Sequence, residues 1–280
     1  MHRWTVLSIL LFVSMAGLST THAQESYALQ YKFEKGKTYH FGDTMTVSMS
    51  TEMMGQEMKS TSNILSVTRA VTSDILDNGS TVFVLSADTM NVAVKSSRGD
   101  TTIVPRELLG KRTRLTLSKL GDVSRRETID TVILGRTMRG LSQRESIRFV
   151  VFSPKPVKIG EKWTSNRTDT SDAMGGKLVV AAALEYTLVA KEKYRGTECL
   201  KISYAGKMSA TGKGTMMGMD LYIEGSGTIS GTVFVDPRNG QPLWEESKSD
   251  METTTAITGQ QNMTIPSSQS VVSHRVLVSE

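Results

Sequence analysis

Cysteine is almost missing: Cys199 is the only one in 280 residues, so no disulfide can form within the chain and stability must come from a packed core. Its place in Thr197-Glu198-Cys199-Leu200-Lys201-Ile202, alternating with charged neighbours, predicts a small buried hydrophobe on a strand. Histidine is nearly as scarce. Beyond the first 23 residues only His40 and His274 occur, at opposite ends of the chain, and there is no Gly-x-Ser-x-Gly elbow to place a nucleophile beside either. His40 falls on the opposite side of its strand from Tyr39 and Phe41, which predicts a solvent-facing side chain. His-x-x-x-His, Cys-x-x-Cys and acidic calcium ladders are all missing, so neither a metal nor another cofactor is expected. Gly225-Ser226-Gly227 and Lys213-Gly214-Thr215 are fragments that do not complete a phosphate loop. With no assembled base, nucleophile or metal cluster, the chain is not expected to be an enzyme.

Long apolar runs are also missing, with one exception. Met1-His2-Arg3, the apolar stretch Trp4 to Leu18 and the small-residue exit Thr21-His22-Ala23 together read as a secretory signal peptide over 1–23. Its apolar part is shorter than the roughly 18 residues of a membrane-spanning helix. No cysteine follows the cleavage site to take a lipid. The mature chain is therefore expected to be exported, periplasmic or extracellular, soluble and without a transmembrane span. Aromatic residues make up only 6% of the sequence, too few for the aromatic girdles of an outer-membrane barrel.

What the sequence has in quantity is alternation. Tyr27, Leu29, Tyr31 and Phe33 share one side of an extended run, and Thr38 to Met53 alternates through Tyr39, Phe41, Met45, Val47, Met49 and Met53, interrupted on that side by Asp43. Met54-Gly55-Gln56 reverses the chain into a strand from Glu57 to Val71. Asp77-Asn78-Gly79-Ser80 is a further turn. The clearest hairpin is Thr232 to Ser247, where Asp236-Pro237-Arg238-Asn239-Gly240 separates Val233 and Val235 from Leu243 and Trp244. Leu115 to Val123 echoes it 119 residues earlier. Tyr194-Arg195-Gly196 follows Asn78-Gly79 at an offset of 117. Pro156 to Trp163 repeats the turn-glycine and aromatic spacing of Phe33 to Tyr39. Three landmarks in one order predict an internal duplication.

The expected fold is mainly β. Two similar antiparallel β halves, 24–135 and 136–280, form a curved sheet or half-barrel, and the second half opens with a connecting helix over Arg139 to Phe152, where alternation is lost and Ser153-Pro154-Lys155-Pro156 ends it. Glycines from Gly206 to Gly231 allow the second half to bend.

Arg106 to Arg148 carries eleven Lys and Arg against five Asp and Glu. Such a segment suits contact with an anionic envelope surface or a solvated face. It lacks interleaved aromatics until Phe149, and nucleic acid is not an expected partner.

Phe152 to Trp163 and the Asp236 to Gly240 hairpin together resemble an uncharacterised family of exported bacterial β-rich proteins, marked by Pro-Val-x-x-Gly-x-x-Trp. That family in turn is similar to the lipoprotein-carrier class, and the resemblance implies a curved antiparallel sheet folded round a helical plug. It carries over no functional residue.

Methionine supplies the remaining signal: Met45, Met49, Met53, Met54 and Met58 cluster in one hairpin, and Met216, Met217 and Met219 in another. Three roles fit: hairpin ends packed against the core, a pliable apolar surface for a lipid or other apolar envelope molecule, or thioether binding of Cu(I). The function expected is non-catalytic binding of an apolar or amphipathic ligand on a concave sheet face, with Tyr39, Phe41, Trp163, Tyr222, Met53, Met54, Met216 and Met217 as its lining. A structural or protein-binding envelope protein is the alternative.

Overall fold

The computed structural model describes residues 25–53, 55–97, 99–131, 149–173, 175–216, 218–259 and 262–279. Every regular element in them is a strand. β1 (Ser26–Tyr27) pairs with β8 (Val157–Lys158). The rest form one antiparallel sheet of 12 strands: β2 (Thr38–Met53), β3 (Gln56–Ile75), β4 (Thr81–Ser96), β5 (Thr101–Ile103), β6 (Thr113–Leu117), β7 (Val123–Thr128), β9 (Lys162–Ala173), β10 (Gly176–Tyr194), β11 (Thr197–Met216), β12 (Met219–Val235), β13 (Pro242–Thr258) and β14 (Met263–Ser279). Their order is β7-β6-β4-β3-β2-β14-β13-β12-β11-β10-β9, with β5 on β4. The sheet is not closed, and β7 and β9 are its edges among the described residues.

This corrects the expected architecture of two β halves joined by a helix. β14 pairs with β2 from Ser267 opposite Thr51 to Ser279 opposite His40, so strands from both sides of residue 135 share one sheet. The physical reason is the edge. As separate halves, β2 and β14 would each expose a long row of unpaired N–H and C=O groups, and pairing them removes both. There is no helix among the described residues. Phe149 to Phe152, the end of the predicted one, run extended, and all four are buried. Burial on both sides is what erases their alternation. The rest of the predicted helix, within 132–148, lies outside the described residues, as does the predicted signal peptide.

Two extended segments close one end of the rolled sheet. Tyr31 N–H donates to Lys119 O and Lys32 N–H to Asn239 O, both at 2.8 Å, which ties the β6–β7 turn to the β12–β13 turn. Phe152 N–H donates to Leu120 O at 2.7 Å, and the indole N–H of Trp163 donates to Val151 O at 2.7 Å. The Arg167 guanidinium donates to Phe149 O. Between these ties sits a ring cluster: Tyr31 lies 4.6 Å from Phe152 and 5.3 Å from Phe149, and Phe33 lies 4.8 Å from Phe83. Each such ring pair adds about 0.5–1.5 kcal/mol beyond the area it buries. The expected alternation of Tyr27, Leu29, Tyr31 and Phe33 is present, since all four are buried, but it belongs to this plug and only Tyr27 is in a strand.

Equivalent backbone bonds recur along the chain. Gly36 N–H donates to Thr72 O and Thr72 N–H to Lys37 O; Gly160 N–H donates to Leu188 O and Leu188 N–H to Glu161 O. The turn glycines of the two echoing hairpins make equivalent contacts as well. Gly121 packs under the Val150 carbonyl and Gly240 under that of Gln30. Each hairpin thus holds the plug segment supplied by the other part of the chain.

Those glycines differ sharply from one in open space. Gly36 has φ 83°, and a methyl there would meet nothing within 4 Å; Gly121 has φ 103°, and a methyl there would overlap the Val150 carbonyl and the Tyr31 ring. Gly36→Ala is expected to cost about 1–2 kcal/mol, the penalty of a left-handed L-residue. Gly121→Ala should cost roughly 3 kcal/mol or more, because strain and a backbone clash add. Urea unfolding of both variants checks the ranking, and equal midpoints would show that the plug does not seat on Gly121.

Candidate functional site

Residues directly opposite across paired strands share a side of the sheet, so the register assigns every side chain to one of two faces. Tyr39, Ala70 and Leu85 are mutual partners and lie in the core. The same core cluster takes Leu115 and Leu117 from β6 and Trp163, Tyr186 and Leu188 from β9 and β10. Core residues from the two ends of the strand order meet, so this face is the concave one.

Above the packed base the concave face opens in two steps. The first row contains Met90, Ser66, Asp43, Arg275 and Glu245, each opposite the next, and the second contains Val92, Ile64, Met45, Ser273 and Ser247. All of them but Val92 line a chamber of ≈ 120 Å³ whose wall also includes Lys111, Thr113 and Arg126 from the β6–β7 side. Leu108 packs onto Ile64, Met90 and Val92 from the loop before β6. Further along the strands lies an open cavity of ≈ 810 Å³. Ser60, Met49, Gln269, Met251, Gly227 and Met208 line it and follow one another as register partners across six strands.

The chamber wall carries a connected charge group. Arg275 donates from Nε to Asp43 Oδ1 at 2.7 Å, with both side chains largely buried. Glu245 sits opposite Arg275 in register and accepts from the Tyr204 hydroxyl at 2.8 Å. Burial disfavours the charge on Arg275, but the Asp43 and Glu245 carboxylates outweigh it and raise its pKa above the usual arginine value. Tyr204 reaches Glu245 across β12 only because Gly231 lies between them. A methyl on Gly231 would come within 2.5 Å of the Tyr204 ring end.

Methionine marks this face. Met45, Met49, Met53, Met58, Met90, Met208, Met219, Met251 and Met263 all fall on the concave side by register. Of these only Met90 is buried; the others keep solvent contact. The convex side is polar, with Lys59, Lys207, Lys213, Glu224, Glu246, Lys248, Asp250 and Glu252 on it. It also bears the cluster Tyr194, Phe234 and Trp244, beside a cleft of ≈ 590 Å³.

The residues expected to line the site are not brought together. Tyr39 (1% exposed), Phe41 (2%) and Trp163 (9%) are packed into the base and face no cavity. Alternation gives their side of the sheet but not their depth, because the plug that covers them comes from a distant part of the chain. Tyr222 stands on the convex face under the Lys213 ammonium, 5.3 Å from its ring. Met53 is half-buried near the open end. Met216 ends β11, while Met54 and Met217 lie outside the described residues. Cys199 is fully buried and its thiol pKa is pushed up by burial. His40 is partly exposed on the convex side, 3.6 Å from Asp88. In the basic segment, Arg112 is held by Asp130, and Arg114 and Arg125 by Glu127. Sequence reasoning misses Asp43, Arg275 and Glu245, although Asp43 interrupts an apolar face and so announces a buried partner.

No family model and no curated protein matches the chain. Among solved structures, an outer membrane channel from Pseudomonas putida F1 aligns over 88% of this chain and 97% of its own, at 12% identity and a TM-score of 0.29. OpdQ of Pseudomonas aeruginosa aligns over 87% and 100%, at 7% identity and 0.28. The translocator domain of the autotransporter NalP from Neisseria meningitidis aligns over 87% and 89%, at 8% identity and 0.23. Scores this low carry no inference about this chain.

Removing the one cation of the charge group strands two carboxylates in a partly dry wall. Arg275→Met is expected to destabilise the fold by about 3–5 kcal/mol, the usual cost of breaking a buried pair from one side. Replacing the group together, as Asp43→Asn, Arg275→Met and Glu245→Gln, should recover more than half of that loss. Chemical denaturation of the single and triple variants checks this, and an unchanged single variant would mean that water already solvates the group.

Proposed function

We propose that this protein is an exported, non-catalytic binding protein of the cell envelope, whose concave face holds an apolar or amphipathic molecule. The observation that carries the reading is the side and place of its methionines: those in described strand pairs face the hollow of the sheet, Met45 and Met90 line the chamber, and Met49, Met208 and Met251 line the larger cavity. A thioether chain with three rotatable bonds conforms to ligands of irregular shape. The larger cavity, ≈ 810 Å³, falls within the range of about 300–1,000 Å³ typical of small-molecule sites. Ser60, Gly227, Met49, Met208 and Met251 on its inner wall leave room where larger side chains would close it, and Lys59, Lys207, Asp250 and Glu252 border it as well.

The convex face argues for water on the outside. A sheet lying in a bilayer needs an outward apolar band about 25 Å tall, and here the middle of that face carries Lys207, Glu224, Lys248, Asp250 and Glu252. The rolled sheet around an internal plug suits the lipoprotein-carrier-like class that Phe152 to Trp163 suggests, with extended segments serving as the plug. Catalysis has no part in this reading; of the concave carboxylates, Asp43 and Glu245 are committed to Arg275 and Tyr204. An internal duplication accounts for the recurring bonds at Gly36 and Gly160 and at Gly121 and Gly240.

Native mass spectrometry of the protein released from its own host in aqueous buffer is expected to show a co-purified small molecule. Met49→Glu with Met251→Glu should lose it, and should weaken saturable binding of a lipophilic dye by about tenfold or more. A ligand-free protein that binds no dye would favour a structural role, and recovery only in detergent-extracted membranes would reverse the location.

A further inference from the structure

The chamber is electrically lopsided. On its deep wall, Asp43 and Glu245 outnumber Arg275 and leave one surplus negative charge among largely buried groups. On the opposite wall stand two cations. Arg126 is opposite Leu115 in the β6–β7 register, so it faces the hollow; its neighbours Arg114 and Arg125 are both held by Glu127, and Arg126 itself takes part in no ion pair among the described residues. Lys111 lines the same chamber, exposed. It exerts a minor pull on Asp130, whose two oxygens are already taken by Arg112. Between the two walls Ile64, Leu85, Met90 and Met45 are interleaved with uncharged Ser66, Thr68, Ser247 and Ser273.

We infer that the ligand is a single-chain anionic amphiphile, with its headgroup between Arg126 and Lys111 and its chain directed along the strands past Met45 and Val271 to Met49, Met251 and Met208. The inference rests on the binding reading above and adds headgroup charge and orientation to it. An anion is repelled by the deep wall and attracted to the β6–β7 side, which leaves one orientation. A cation would bind the other way round, and a neutral head would gain from neither wall. The chain then lies on the surface where the methionines border space. A carboxylate and a phosphate head satisfy the same two cations, so the headgroup chemistry is common to fatty acids and to single-chain phospholipids.

Four probes of equal chain length separate the outcomes: tetradecanoate, tetradecyl phosphate, tetradecanol and tetradecylamine, each displacing a lipophilic dye from the full-length mature protein. Both anions are expected to bind about tenfold tighter than the alcohol and the amine, with a preference that shrinks at high salt. Their order relative to each other distinguishes the fatty acid from the phospholipid source. Arg126→Gln with Lys111→Gln, both at exposed positions, should bring the anions to within about threefold of the alcohol while the alcohol's own Kd stays put. Equal wild-type affinity for all four probes, or tighter binding of the amine, overturns the inference and leaves the binding role standing. Failure of every probe to displace dye overturns both.

Discussion

The structure depends on how residues 27–33 and 149–152 are pinned across one end of the sheet. A sheet of 12 strands with an apolar side has to cover that side, and here the cover is short. Tyr31, Phe33, Phe149 and Phe152 fill the hollow between Phe83 on one flank and Trp163 with Tyr186 on the other. The backbone and indole bonds to Lys119, Asn239, Leu120 and Val151 fix the plug at that height. Fully burying rings of this size contributes about 1.5–3 kcal/mol each, so the base is where the fold gains most of its stability. Among the described residues nothing of comparable size reaches the rest of the concave face, which stays open as a consequence.

Above the base the chain changes its vocabulary. Aromatics give way to Ser, Thr, Gly and Met on the inner side, and strand curvature is set by glycines whose missing side chains bring neighbouring strands close. At Gly206 and Gly227 a methyl would overlap the carbonyl of the adjacent strand, of Ala183 and Asp250 respectively. The same substitution at Gly231 would displace Tyr204 from Glu245. Small inner residues thus allow tight rolling and leave unfilled volume at once. A bilayer-spanning barrel has its apolar residues outward and its polar ones inward. This sheet carries Lys207, Glu224, Lys248, Asp250 and Glu252 outside, and its inner side combines thioethers with the Asp43, Arg275 and Glu245 group.

Much of this is legible in the sequence. Thr38 to Met53 is a strand with the bounds its alternation gives, the Asp236 to Gly240 turn joins two strands, and the glycines of the turns at 55, 79, 196 and 240 have the positive φ their positions require. What fails to show has specific causes. The full lengths of β4 and β14 do not show, because Ser86 and Asp88 in one and Ser267, Ser268 and Ser270 in the other interrupt the apolar residues and look like breaks. Pro266, of a residue type that ends most strands, lies within β14. It is tolerated there because pairing with β2 begins only at Ser267, so its missing N–H is not needed on that side. Phe149 to Phe152 looks helical because burial on both sides hides a period of two. Alternation puts Tyr39 and Phe41 on the right face and at the wrong depth, since it reports a side of a strand but not what a distant segment will lay upon it.

The charge group of Asp43, Arg275, Glu245 and Tyr204 stands at the limit of the main core, and its position explains why that core is not continuous with the smaller cluster of Ile64, Met90, Val92 and Leu108. A core can grow along a face only while successive rows exchange water for apolar contact. A row holding two carboxylates and a guanidinium resists that exchange, because each ion loses several kcal/mol of hydration if the space above it dries. In the row below, Phe41 and Ala87 are buried; in the row above, Val92, Ile64 and Ser247 are buried and Met45 and Ser273 are not fully so. Local opening is cheapest where few apolar contacts would be lost. The group therefore divides the base from the upper sheet, and it does so without any change in the backbone, since β2, β13 and β14 run unbroken through it.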